Sequence, residues 1–535
     1  MATGMTRIQI NLVLLLALAL AAIAANAEAN SETVTVVVVG ATGNLAAKYL
    51  WVALFRLALR DQSRSYRFLA GASDPIERGN AWKARFFSAD FERRVCGDGG
   101  SDVDTGVGMR TECIAFFQHH FKPSVRYAPL RSDAQYEAAA AMLNEDAGDT
   151  IEAGRVVYLA IPPEYFLQTI TLVDRHLRLQ HQSVESKDTS FLRVVIEKPF
   201  GSSFESAREL ASSLSTVLSD NEIFVMDHYA GKPAVRALQS YLSRNHAALH
   251  PLWSSRHISS IQVEMTERET LQGRINYFHH TGIIRDVMVN HLHLLLGLAI
   301  APSFKLDHNS IANRLSFVDS LNRDRDGIHT WQYAEYPAQV RLEMTNDDKS
   351  VFTPTAAVVS FSSSLPAWNA TEFILTAAKA AATRLLEIRV DFDNTPLASP
   401  CSLTITIQRG INADAATSQS ITWSCDLISP ADHVPPHGWT FADESKRTIV
   451  PTATAEQWVW DLGTDQASAY DLLLLDVAHG IRDNFADIRE VLAAWKLWTP
   501  IVEAAEVRPD TFEYPTGVTP WELDAADRAQ AFDEL

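Results

Sequence analysis

Met226-Asp227-His228-Tyr229-Ala230-Gly231-Lys232 sets an acid, an imidazole, a phenol and an ammonium directly after the apolar run Ile223-Phe224-Val225-Met226. His228, Tyr229 and Lys232 can all donate hydrogen bonds and Lys232 adds full charge, so together they suit an anionic oxygen cluster such as a phosphate. An ionised Asp227 only accepts, and so needs a different partner. The second reactive stretch is Gly282-Ile283-Ile284-Arg285-Asp286-Val287-Met288-Val289-Asn290-His291. A histidine in an apolar helix is by default a satisfied core residue. If His291 instead acts as a base steadied by a carboxylate, α-helical geometry disfavours Asp286, because residues five apart lie about 140° around the helix from one another. Asp227 is then the available carboxylate, and an Asp227–His291 pair is expected.

Those groups need a scaffold that brings distant stretches together. Residues 33–39 are a near-continuous β-branched run, the pattern of a strand buried on both faces. The run enters Gly40-Ala41-Thr42-Gly43-Asn44-Leu45-Ala46, followed by Leu50, Leu54, Phe55 and Ala58 at helical spacing. In a strand–glycine turn–helix unit the helix N-terminus offers amides to a pyrophosphate. Strand patterns at 66–72, 155–161 and 191–198 alternate with helical ones at 133–143 and 205–217. This predicts an N-terminal α/β domain, a Rossmann-like doubly wound parallel sheet. Residues 227–232 then lie at a strand's end, where open α/β sheets place their ligand crevice.

The texture changes afterwards. Strand patterns at 257–266, 339–345, 351–362, 371–376, 386–392, 403–408 and 420–424 follow, with helical segments at 283–298, 467–477 and 488–505. A larger α+β domain is expected, its mostly antiparallel sheet covered by helices. The expected divisions are 1–27 as an export signal, 28–225 as the dinucleotide-binding domain and 226–535 as a substrate-binding and dimerisation domain.

A net charge of −19 over 535 residues argues against a nucleic-acid partner, and makes any clustered Lys, Arg and His informative. Arg7, the apolar run 12–23 and Ala25-Asn26-Ala27 read as an export signal too short to span a bilayer, and no later span is expected. Phe532-Asp533-Glu534-Leu535 differs from the Lys-Asp-Glu-Leu retrieval signal at its first position, which points to the endoplasmic reticulum lumen. That compartment permits disulfides. Of three connectivities, Cys96–Cys113 with Cys401–Cys425 is preferred, against four buried thiols. Asn369-Ala370-Thr371 is a glycosylation sequon.

Four motifs occur in order: Gly-Ala-Thr-Gly-x-Leu-Ala after the first strand, Glu197-Lys198-Pro199-Phe200-Gly201, Asp227-His228-Tyr229-x-Gly231-Lys232, and Gly282-Ile283-Ile284-Arg285-Asp286-Val287. Together they resemble the glucose-6-phosphate dehydrogenase family, and Gly273-Arg274, residues 470–480 and Ala494-Trp495-x-x-x-Thr499-Pro500 extend the likeness. Lys48-Tyr49-Leu50-Trp51 is similar to the luminal hexose-6-phosphate dehydrogenase type, and only the dehydrogenase part, with no lactonase domain, is expected. The resemblance implies oxidation of glucose 6-phosphate, and other hexose 6-phosphates, at C1 to the 6-phospholactone, with hydride transfer to NAD(P), as the entry step of a luminal pentose phosphate pathway. It implies that His291 takes the hydroxyl proton and Asp227 orients it. His228, Tyr229 and Lys232 would hold the phosphate, with Lys379 and Arg384 finishing that pocket. Glu267 and Asp286 would accept from sugar hydroxyls, Gln408 would contact the sugar, and Lys198 would sit between sugar and nicotinamide, its bond to Pro199 cis.

For the coenzyme, the resemblance implicates Gly40, Ala41, Thr42, Gly43, Asn44, Leu45, Ser73, Ala160, Phe166 and Lys198. Asn44 and Ala47 depart from the family's Asp and Lys, and Ser73-Asp74 stands where an arginine would grip a 2′-phosphate. NADP is the expected coenzyme, with NAD use alongside it. Thr376 and Leu385 replace the basic residues of a second, structural NADP site, so none is expected, nor is a metal. A homodimer is expected. Two other readings compete: a sugar oxidoreductase of the glucose–fructose oxidoreductase type acting on unphosphorylated sugars, and a non-catalytic luminal dinucleotide-binding sensor.

Overall fold

In β1 (Glu32–Val39) every residue after the first is buried, as a strand covered on both faces must be. It runs parallel to β2 (Arg64–Ala72) on one side and to β4 (Glu152–Leu159) on the other, and β3 (Val125–Pro129) extends the sheet beyond β2. With β5 (Phe191–Glu197) and β6 (Ile223–Met226) the six strands take the order β3-β2-β1-β4-β5-β6. The strand order reverses at β1, the switch point of a doubly wound sheet. This computed structural model describes residues 32–97, 107–147, 152–179, 190–303, 311–344, 352–393, 401–410, 418–425, 452–453, 458–461, 468–507 and 512–523. The export-signal reading and the Asp-Glu-Leu terminus lie outside the described residues.

The chain forms two compact units, residues 1–195 with 477–479, and residues 196–476 with 480–535. In the first, the glycine turn leads through one wide turn into α1 (Trp51–Arg60), whose Trp51, Leu54, Phe55 and Leu57 are buried. Cys96 is disulfide-bonded to Cys113 across 17 positions.

The second unit carries a ten-stranded sheet. Its strands are β7 (Ser260–Thr266), β8 (Leu321–Tyr333), β9 (Ala356–Ser363), β10 (Glu372–Ala378), β11 (Arg384–Phe392), β12 (Cys401–Gly410), β13 (Ser418–Trp423), β14 (Thr452–Ala453), β15 (Trp458–Asp461) and β16 (Phe512–Tyr514). Their order is β14-β15-β13-β12-β11-β7-β10-β9-β8-β16. Only β7–β10 and β8–β16 pair parallel among the described residues. Burial alternates along most of β7 and β9, which marks one face packed and one face more open. Cys401 is bonded to Cys425 across 24 positions, so all four cysteines are paired as preferred. Loops of this length contribute about 3 kcal/mol each in the chain-entropy account.

Three expectations need correction. The strand pattern at 339–345 is a helix (Tyr336–Glu343): Tyr336, Val340 and Met344 are buried at helical spacing, and Leu342, which suggested alternation, is 85% exposed. The long strand β8 escaped notice, because Arg323-Asp324-Arg325-Asp326-Gly327 interrupts its apolar pattern, and its pairing with β9 shifts register there. Contrary to the expectation of no later span, Ile275–Ser303 is long and apolar enough to cross a bilayer. In this fold it is broken at Gly282 and mostly buried inside the second unit.

Candidate active site

Every side chain of the proposed sugar-handling set belongs to the second unit. The chain leaves β6 at Met226 in a tight turn, in which Ala230 N–H donates to Asp227 O (3.0 Å) and Lys232 N–H to Tyr229 O (3.1 Å). Pro233 then opens α2 (Pro233–Arg244), a residue suited to the first helical position because it lacks an N–H. Four functional side chains are thus displayed on one short loop with a helix behind it.

The second element is less regular than its sequence suggests. After α3 (Ile275–Ile283), the nine residues Ile284–Leu292 form a π-helix, and α4 (His293–Ala299) continues from it. Gly282 allows the break, with φ of 66°, a conformation costly for any residue with a Cβ. A π-helix bonds i to i+5, so Asp286 and His291 lie on nearly the same face. The separation of about 140° expected of an α-helix therefore does not apply to this π-helical segment, although Asp286 is still not the partner of His291. Asp286 is taken by Lys379, at 3.1 Å, and Asp227 meets His291.

His291 Nδ1 lies 2.8 Å from Asp227 Oδ1, which also accepts from Tyr229 N–H at 2.9 Å. Burial pushes the Asp227 carboxyl up, but the charges of His291 and Lys198 and the hydrogen bond outweigh it and hold the group well below the usual carboxylate range. Asp227 is therefore an anion that only accepts, so the proton between the two sits on Nδ1 of His291, and Nε2 is the nitrogen left for a substrate. Oδ2 of Asp227 is buried without a hydrogen-bond partner, and Lys198 Nζ stands 3.5 Å from it. The Lys198–Pro199 bond is cis. The His291 ring is fixed in plane by Tyr229, stacked on it with centroids 4.0 Å apart, while His228 packs edge-on at 4.9 Å. Burial, then the charge of His291, pushes His228 down to about 3, so it is neutral. Asp227, His228 and His291 also have their ligand atoms within 4.8 Å of one another, a spacing a cation would accept. One oxygen of Asp227 is already engaged by His291, and an ammonium faces the other.

Lys232 reaches across to Gln408 Oε1 at 2.9 Å, its ammonium 4.7 Å from the Tyr229 ring centroid. Burial, then repulsion from Arg384, lowers it to about 8. A cation so held is an anion site in want of its anion. Tyr229 points its hydroxyl at Met265 Sδ (3.5 Å), and burial, then the charge of Glu267, raises it well above the usual phenol range. Lys379, expected to finish the phosphate pocket with Arg384, has its charge matched elsewhere. Lys379 is buried in ion pairs with Glu267 and Asp286, both of which it holds ionised against the upward push of burial. Arg384 keeps a looser contact with Glu269, at 3.6 Å. Two contributors were overlooked. Met265 lies near the end of β7, two residues before Glu267, which directly follows the strand, and that spacing is a signal the sequence contained. Tyr470, whose ring lies parallel to His228 at 6.1 Å, had no local signal.

In the first unit the glycine turn is built as a cradle. Gly40 N–H and Ala41 N–H both donate to Gly71 O, at 2.8 and 2.9 Å, and Gly43 N–H donates to Gly40 O at 3.0 Å. Gly43 and Asn44 are exposed and Thr42 and Leu45 half-buried, so the turn is accessible to a ligand although the Gly43 N–H is already engaged. At Gly40, φ is 89° and an added Cβ would come within 2.2 Å of Ala160 O. Gly40→Ala is expected to destabilise by at least about 2 kcal/mol, combining the left-handed penalty with that clash. The check is a lowered urea midpoint at unchanged slope. Ser73 is exposed just past β2, and Asp74 beside it lies 4.0 Å from Arg78. Phe166, expected at the coenzyme, is buried in the core; Tyr165, 52% exposed, is the aromatic side chain open to a ligand there.

This combination defines a class: a dinucleotide-binding sheet followed by a large α+β unit that carries the reactive side chains. Residues 37–237 match the NAD binding domain of glucose-6-phosphate dehydrogenase, and residues 242–531 match its C-terminal domain. The chain belongs to the glucose-6-phosphate dehydrogenase family. The human GDH/6PGL endoplasmic bifunctional protein is 28% identical over 497 residues, covering 87% of this chain, which spans 58% of that relative's length. The glucose-6-phosphate 1-dehydrogenase of Dictyostelium discoideum is 29% identical over 496 residues, covering 89% of this chain and 90% of the relative. A solved glucose-6-phosphate dehydrogenase in complex with its substrate glucose-6-phosphate shares the fold, with a TM-score of 0.70 at 23% identity over 94% of this chain and 98% of that one.

Proposed function

We propose that this protein oxidises glucose 6-phosphate at C1 to the 6-phospholactone, with NAD(P) as hydride acceptor. The observation that carries the reading is the buried Asp227–His291 pair beside a cationic pocket formed by Lys232. Nε2 of His291 takes the C1 hydroxyl proton, and ionised Asp227 stabilises the imidazolium that forms. Lys232, with His228 and Arg384 nearby, grips the phosphate, and that remote binding energy fixes C1 against the base. Gln408 and the Lys379–Glu267–Asp286 cluster face the sugar's hydroxyls. When bound, NAD(P) supplies a nicotinamide that accepts hydride from C1. The glycine cradle at Gly40 and the accessible turn at residues 42–45, which leads into a helix N-terminus, fit its pyrophosphate.

NADP is the coenzyme that family membership favours. Ser73 and Asp74 support NAD use beside it, since a carboxylate accepts from a ribose hydroxyl and repels a phosphate. Initial rates for the four pairings of NAD or NADP with glucose 6-phosphate or glucose test the proposal. Glucose 6-phosphate must be strongly preferred; equal rates on glucose, or none with either coenzyme, reject it. Galactose 6-phosphate in the same assay tests wider use of hexose 6-phosphates.

A pH dependence follows from Lys232. It is protonated below about 8 in the free protein, so kcat/KM for glucose 6-phosphate should fall as pH rises past that value. The fall should be absent for free glucose, and Lys232→Arg, which cannot deprotonate, should move it upward.

The proposal extends to the endoplasmic reticulum lumen, supported by the apolar run after Arg7, the two disulfides and the endoplasmic relatives. Asn369 is exposed, whereas the Thr371 hydroxyl of its sequon is buried against Ile258 O at 2.8 Å, so glycosylation would precede folding. A homodimer completes the reading, and light scattering of the purified chain tests it.

A further inference from the structure

A cavity of about 900 Å³ opens within the second unit, between α2, α4, the helix Ile311–Ser320 and the start of the long helix Ile488–Val507. Among the proposed catalytic and phosphate-holding side chains only Lys198 reaches it; Asp227, His228, Lys232 and His291 do not line it. Its volume is that of pockets for drug-sized molecules. Leu242, Leu294, Leu298, Phe317, Phe485 and Trp495 make most of its apolar wall.

The polar part of the wall donates more than it accepts. Lys198, Arg236, Arg314, Arg482 and Arg489 face three acids, Asp483, Asp487 and Glu490, in a chain whose net charge is −19. Glu490 is already paired with Arg314, and Asp487 with Arg489 at 2.8 Å. Arg236 is buried, pairs through Nη2 with Asp476, and leaves its Nε–H with no partner. A buried donor without an acceptor is rare in a native protein and marks a place where a ligand atom or water belongs. His293 adds a second donor. Trp498 Nε1–H donates to its Nδ1 at 3.2 Å, so the ring proton resides on Nε2. Burial, then the charge of Lys198, pushes His293 down to about 3, so it stays a neutral donor.

We propose that this cavity binds an amphipathic monoanion, a carboxylate or sulfonate on a hydrocarbon or aromatic body, with the anion held by Arg236, His293 and Lys198. Lys198 links it to the reactive pair, because its Nζ also stands 3.5 Å from the partnerless Oδ2 of Asp227. An anion in the cavity draws that ammonium away from Asp227 and lowers turnover without competing with the sugar. The effect on turnover rests on the proposed dehydrogenase reading; the binding does not.

Anilinonaphthalene sulfonate is titrated into the full chain while its fluorescence is followed, first alone and then with saturating NADP or glucose 6-phosphate added singly. Saturable enhancement, reversed by dodecanoate, is expected. Gly297 lines the cavity and its Cβ position is open beyond its own helix, so Gly297→Leu projects a side chain toward the space the probe would occupy. Arg236→Lys keeps a charge beside Asp476 but removes the Nε–H. Arg236→Lys should weaken the probe about tenfold, the worth of one hydrogen bond to a charged group, and Gly297→Leu should weaken it at least as much by taking up the space of its hydrocarbon body. Release of the probe by coenzyme or sugar phosphate, or undiminished affinity in either variant, overturns the proposal. If thermal unfolding shows that Gly297→Leu does not fold, Arg236→Lys and dodecanoate displacement decide alone. In assays, dodecanoate should lower kcat at constant KM for glucose 6-phosphate, and a competitive pattern overturns the link through Lys198. A chain inactive with every substrate would reject the dehydrogenase reading and leave the fluorescence result to stand by itself.

Discussion

His291→Asn is expected to lower kcat by about 10²–10⁴-fold while shifting KM for glucose 6-phosphate less than about threefold, the signature of losing a general base and not a binding group. The ring's position explains the expected selectivity. Its Nδ1 is engaged by Asp227, its face is covered by Tyr229 and its edge by His228, so Nε2 is the nitrogen left for a proton. Asparagine occupies similar space and keeps a polar group for Asp227, so the loop 227–232 should hold its shape. Asp227→Asn is the companion test. A side-chain amide can present its N–H to Nδ1, which forces the proton onto Nε2 and disables the base without moving the ring, so kcat should fall as steeply. Retention of turnover within about tenfold in both variants would remove the pair from the chemistry.

Lys232→Ala is expected to raise KM for glucose 6-phosphate by about 10- to 100-fold, since a hydrogen bond to a charged group is worth about 1.5–3 kcal/mol. KM for free glucose should stay within about twofold, because glucose has no charge for Lys232 to meet. The contrast between substrates separates a phosphate contact from general damage. Lys232 also donates to Gln408 and lies against Tyr229, so its loss disturbs the pocket for both sugars alike; only the charge effect is selective. An equal rise for both substrates would mean that Lys232 is structural and that the phosphate lies elsewhere.

These two predictions rest on contacts between residues 64 and 176 positions apart, and the partners differ in how far the sequence announced them. The Asp227–His291 pair was legible because an acceptor-only carboxylate in a loop of donors needs a partner from elsewhere. The reason given against Asp286 was nevertheless mistaken, since apolar periodicity does not distinguish an α-helix from the π-helical turn that this segment forms. Lys379 read as one more cation for the phosphate. Only the packing of β10 beside β7 shows it buried between Glu267 and Asp286, where its charge is already matched. Phe166 and Tyr165 are adjacent aromatics, and no local rule says which faces the core.

By itself the sequence determined the strands of the first sheet except β3, which lies in the stretch between β2 and residue 133 where no strand was expected, together with the place of the glycine turn, the change from parallel to antiparallel texture and the loop that carries the reactive groups. Those features follow from side-chain period, β-branching and turn chemistry, which act over a few residues. The tertiary structure alone decided which cations stay available to an anion and which are neutralised, how far Lys232 is lowered, that a π-turn aligns Asp286 with His291, and that a second cavity shares Lys198 with the site. Those depend on burial and on charges brought together from distant stretches, and the energy of such a contact is set by distance and desolvation, quantities that a linear order of residues does not contain.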